Sequence, residues 1–224
     1  MGKRTILTTA GISAAAALLC AAPAIAAGAG AQAGSVLTTG AAGGTAVATG
    51  DVLSAALAPG AKAVIATTSG GSTGITCTSS TFTASVTGNP AAPGTATESV
   101  SAHTFGNCTT NVLGATGVQS ITVGNLPFAS TATSAGALDV AAGSAGAIQT
   151  TVKLNTILGA ITCVYTSTGL SGTTSNTGNT ITFANQKFTR TTGPATCPGS
   201  GFFSAKYGPV QDTSVSGSPS VFVN

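Results

Sequence analysis

The chain has 224 residues, with seven Lys or Arg against four Asp or Glu, so only 5% of it is charged where an ordinary soluble domain carries roughly 25%. With no Trp, two Tyr and one His, it is short of the residues from which active sites, metal cages and nucleic-acid grooves are built. Hydrophobic residues make up 42% of it, which is enough for a buried core and argues against disorder, and the length fits about one domain.

The N-terminus reads Met1-Gly2-Lys3-Arg4, followed by an Ala-rich apolar stretch over residues 6–19 and small residues around Ala24-Ile25-Ala26. A charged start, an apolar middle and an A-x-A site make a secretory signal peptide, residues 1–26, with Ala31-Gln32-Ala33 as a second cleavage site. Thr8, Thr9 and Ser13 interrupt the stretch, and no run of about 18 apolar residues occurs, so no membrane span is expected in the mature chain. Lys3-Arg4 is not an adjacent arginine pair, which favours the general export route over the twin-arginine one. Removing residues 1–26 leaves five cations and four anions, a mature protein close to neutral.

Residues 27–44 are small and Gly-rich and read as a flexible lead. From Thr45 to the end, short stretches of Val, Ile, Thr and Phe alternate with Gly, Pro, Asn and Ser, the pattern of a single all-β domain. Strands are expected over 51–57 and 62–68 as a first hairpin, then over 74–86, 97–105, 117–125 and 128–133. The stretch 134–146 reads as a short helix or a loop. Strands follow over 147–155 and 159–170, then a polar loop over 171–178, and strands over 180–190, 201–207 and 218–223. About ten strands imply a disulfide-stapled sandwich or flattened barrel. Gly74-Ile75-Thr76-Cys77 echoes Ala160-Ile161-Thr162-Cys163, which suggests two duplicated halves, about 45–140 and 141–224.

Four cysteines remain after cleavage: Cys77, Cys108, Cys163 and Cys197. They allow three connectivities, and the matching separations of 31 and 34 residues favour Cys77–Cys108 and Cys163–Cys197. A C-x2-C spacing is missing and His103 has no second His, so neither a metal nor a cofactor is expected.

The segments GITCTSSTF (74–82), Gly106-Asn107-Cys108, ITVGNLP (121–127) and YGPVQDTSVSGSPSVFVN (207–224) resemble actinobacterial secreted Thr- and Ala-rich β-proteins. Many of these are labelled only as Tat-pathway signal sequence domain proteins. The resemblance implies a secreted β-protein and brings no activity with it.

Catalysis is not expected. His103 and Glu98 are five apart, an odd separation that puts them on opposite faces of a regular strand, and no G-x-S-x-G elbow occurs. Five cations are too few for nucleic acid. Tyr165, Phe202, Phe203 and Tyr207 form a candidate contact patch, since of two adjacent strand residues one faces outward. The expected function is that of a secreted, non-enzymatic structural or cell-surface protein. It would act by contact with a surface or matrix component, or by self-association. The alternative is an extracellular binding module for cell-wall glycan or a small apolar ligand.

Overall fold

Alternation of apolar with hydroxyl-bearing side chains runs through most of the chain, and in the computed structural model, which describes Gly2 and residues 34–224, it produces strands throughout. The expected signal peptide and its cleavage site fall outside these residues, apart from Gly2. No helix occurs among the described residues. The strands are β1 (Leu37–Thr39), β2 (Thr45–Ala46), β3 (Val52–Ala56), β4 (Ala63–Ala66), β5 (Gly74–Gly88), β6 (Thr95–Thr110), β7 (Ala115–Gly124) and β8 (Phe128–Thr133). They continue as β9 (Ala137–Ala141), β10 (Ile148–Thr156), β11 (Gly159–Ser167), β12 (Gly169–Ser175), β13 (Thr180–Thr192), β14 (Ser200–Tyr207), β15 (Gln211–Asp212) and β16 (Val221–Val223).

Eight of these strands close on themselves in the order β12-β9-β8-β6-β5-β4-β14-β13, with β13 returning to β12. The all-β, disulfide-stapled architecture is therefore a closed barrel, which leaves none of the eight as a free edge. Two long strands, β5 and β13, carry the structure beyond that ring. The start of β13 pairs with β12 and its end with β11, from which β10 and β7 continue the sheet. Strand β5 offers one edge first to β4, at Gly74–Cys77, and then to β3, at Thr81–Ser85. Strands β3 and β4, expected as a hairpin, thus lie end to end along β5 without pairing with each other. Their connecting segment must carry the chain along β5, which a two-stranded turn would not do.

A separate three-stranded sheet, β16-β1-β2, covers one end of the barrel. There Leu37, Val221 and Val223 line a small cavity together with Leu53, Leu138 and Ile181. The Asn89 side chain holds this sheet by accepting from Leu37 N and donating to the carbonyls of Leu37 and Val47, each at 2.8 Å. The flexible lead expected over 27–44 is corrected here from Leu37 onward. Val36, Leu37 and Thr38 are almost fully buried; β1 is paired along both edges, and Val36 N just before it donates to the Pro90 carbonyl.

Two further segments become strands against expectation. Residues 137–141, within the expected helix or loop, form β9, and residues 169–175, largely the expected polar loop, form β12. They pair with each other, and Leu138, Val140 and Leu170 point inward. Residues 34–224 belong to one compact unit in which the two expected halves interlock: β4 pairs with β14, β7 with β10 and β9 with β12. Cys77 is bonded to Cys108 across the β5–β6 ladder, and Cys163 on β11 is bonded to Cys197 in the connection between β13 and β14.

Candidate functional site

Strand β14 shows how the interior is furnished. Gly201, Phe203, Ala205 and Tyr207 share its buried face, as a period of two requires, while Phe202, Ser204 and Lys206 face away. The expected contact patch is corrected on this point. Phe203, Tyr207 and Tyr165 are buried, and only Phe202 turns outward. Of the ten aromatic residues, eight line one cavity inside the barrel, including Phe82, Phe105, Phe128, Phe183 and Phe188. Tyr165 donates its hydroxyl to the carbonyl of Pro198 at 3.0 Å, which ties the Cys197 loop to the barrel wall.

Strand β6 contributes the polar groups, and it does so through an irregularity. Thr83 pairs with Ala102 and its neighbour Ala84 with Val100, so Ser101 is an extra residue, a β-bulge. The bulge resets the alternation, and Glu98, Val100, His103 and Phe105 all line the cavity. The expectation that Glu98 and His103 lie on opposite faces is overturned by this single inserted residue. Strand β13 repeats the device. Phe183 pairs with Ala205 and Gln186 with Phe203, leaving one residue extra near Asn185, whose φ is 51°. Phe183 and Phe188, also five apart, consequently both face inward.

His103 Nε2 lies 2.7 Å from the Tyr207 hydroxyl, which lies 2.8 Å from Ser80 Oγ. The three groups satisfy one another against an apolar wall, with the His103 ring also edge-on to Phe203. Burial pushes the His103 imidazole down to about 4, so it is neutral at pH 7, and burial pushes the Tyr207 phenol up. No carboxylate bonds His103, so the chain of acid, His and nucleophile that defines a triad is not assembled here among the described residues.

Glu98 stands elsewhere on the same wall. One carboxylate oxygen accepts from Ser130 Oγ at 3.1 Å, and burial raises the group above the usual carboxylate range. No Lys or Arg lines the cavity. The Asp212 carboxyl is fully buried; it accepts from Ser214 N at 3.0 Å, and its other oxygen has no partner among the described residues. Burial raises it first and the neighbouring Asp51 carboxylate adds to the effect. No group of three or more His, Cys, Asp or Glu able to hold a metal occurs among the described residues.

The barrel end opposite the small sheet has a different character. Ala115 pairs with Thr156, so the β6–β7 turn (residues 111–114) and the β10–β11 turn (residues 157–158) lie side by side. Leu113, Ile157 and Leu158 project from these turns at 99%, 83% and 94% exposure. Three large aliphatic side chains at the tips of adjoining turns were not singled out by sequence reasoning. The signal was available as Val112-Leu113-Gly114 and Ile157-Leu158-Gly159, where apolar residues occupy positions that turns normally give to polar ones.

Compared with known proteins, the chain matches no family model, no curated protein and no solved structure. No helix among the described residues is long and apolar enough to cross a membrane.

Proposed function

We propose that this is an exported, non-enzymatic protein of the cell surface that acts by contact, and that its contact surface is the apolar barrel end bearing Leu113, Ile157 and Leu158. The three exposed tips carry this reading. Burying an aliphatic side chain is worth about 1.5–3 kcal/mol, equivalent at 25 cal/mol/Å² to roughly 60–120 Å² each. Three of them fall well short of the ~800 Å² per partner that a stable protein interface takes. Inserted into hydrocarbon, the same three supply up to about 5–9 kcal/mol, enough for reversible attachment of the strength a single acyl chain gives. The partner that fits is a lipid surface. The near-neutral composition, with five cations and four anions beyond residue 26, gives the attachment no electrostatic component.

Export is supported by the N-terminal charged, apolar and A-x-A pattern and by four cysteines joined in two bridges. The glycan alternative loses its usual means, since sugar-stacking aromatics must face outward and eight of ten here face inward. The chain carrying Leu113→Asp, Ile157→Asp and Leu158→Asp is expected to fold as before, because exposed turn positions typically change stability by under about 0.5 kcal/mol. It should move from the cell-envelope fraction into the medium. A variant that still fractionates with the envelope would contradict the proposal.

A further inference from the structure

We propose that the barrel interior beside Glu98 is a binding site for a small organic cation, a short-chain alkylammonium whose charged end pairs with the Glu98 carboxylate and whose apolar body lies against Val140, Leu170 and Phe128. Registers place these groups together. Glu98 pairs with Ser130, Ser130 with Val140 and Val140 with Leu170, which makes one layer of the closed wall. Val100 and Phe128 form the next layer along. Glu98 is the one residue of that layer able to carry a charge.

Three observations point to an organic cation. First, Glu98 has one oxygen bonded to Ser130 and no hydrogen bond on the other among the described residues, while both the main cavity and a smaller one open against it. That free oxygen is accessible, and no Lys or Arg lines either cavity, so an incoming cation meets a carboxylate with no cation beside it. Secondly, the surroundings are hydrocarbon and aromatic. A metal ion such as calcium takes six to eight oxygen ligands, which this wall does not offer, whereas an ammonium group is satisfied by one carboxylate, one hydroxyl and ring faces. Thirdly, the cavity measures about 70 Å³, several times the ~10–15 Å³ that a cavity needs to hold one water. That limits the ligand to a few non-hydrogen atoms.

This inference is independent of the lipid-contact reading, which its failure would leave intact. The test is a titration of the protein with n-butylammonium and, separately, with n-butanol, the neutral molecule of the same size, followed by methyl NMR shifts of Val140 and Leu170. Butylammonium is expected to bind at least about tenfold tighter than butanol, a difference of ~1.4 kcal/mol, and Glu98→Gln is expected to equalise the two. Equal affinity in the unaltered protein would overturn the cation assignment while leaving an apolar cavity that binds small molecules. Absence of saturable shifts with either probe would overturn the site altogether. Because the amine-versus-alcohol comparison uses the unaltered protein, it stands even if the Glu98→Gln chain fails to fold.

Discussion

Replacing Cys163 and Cys197 together by Ser is expected to destabilise the fold by about 2–5 kcal/mol, and the Cys77/Cys108 double replacement by a similar amount. The two bridges close sequence separations of 31 and 34 residues, so the conformational freedom that each removes from the unfolded chain is nearly the same. Their native surroundings differ. Cys77 and Cys108 are direct partners on a ladder that backbone hydrogen bonds hold anyway, whereas Cys197 sits in a seven-residue connection between β13 and β14. In that connection Arg190 Nη1 donates to the carbonyls of Pro194 and Cys197, and Tyr165 donates to Pro198. Losing the second bridge should therefore also loosen these contacts locally. Urea unfolding of the two double variants measures both losses. A loss confined to one variant would contradict the chain-entropy account.

Acidification should separate the protein from a His103→Gln variant. His103 is held near 4 in the fold against an ordinary 6.5, so below pH 6.5 the unfolded chain takes up a proton that the folded one refuses. The unfolded state gains by this as pH falls, and the loss of stability accrues between about pH 6.5 and 4, reaching about 3 kcal/mol at 1.36 kcal/mol per unit. Glu98 and Asp212 work in the opposite sense. Their folded affinity for a proton is raised, so acid favours the folded form through them. The net curve of the native chain mixes these contributions, and the difference between it and His103→Gln isolates the imidazole. Denaturant midpoints at pH 7 and pH 4.5 are the readout. Parallel pH profiles for the two proteins would show that His103 is not held neutral by burial.

The strands that alternate cleanly could be read from the sequence. Strand β8 matches its expected span, and β10 and β14 lie within one residue of theirs, because large apolar residues such as Ile148, Val152 and Phe203 mark every second position. Strands β9 and β12 could not be read in the same way. Ala137, Ala141, Gly169, Gly172 and Ser175 carry little strand preference, and they are strands because the barrel closes there. The interior site was obscured by parity. One inserted residue at Ser101 brings Glu98 to the face of His103, and nothing in the local composition announces it. The bulge in β13 did leave a trace, since Asn185 in mid-strand is a residue that tolerates positive φ. Tyr165 and Tyr207 were misplaced for another reason. Parity puts Tyr207 on the face of Phe203, four residues back, but does not say which face of β14 or of β11 is the inner one; closure of the barrel decides that, and both tyrosines line its cavity.

The central claim, contact with a lipid surface through the apolar end, is tested most directly by flotation of the protein with neutral phosphatidylcholine vesicles at low salt and at about 1 M salt, where the screening length falls to ~3 Å. The account predicts the same bound fraction at both, and its loss when Leu113, Ile157 and Leu158 are replaced by Asp. Release of the protein by salt, or equal flotation of the tip variant, would contradict it.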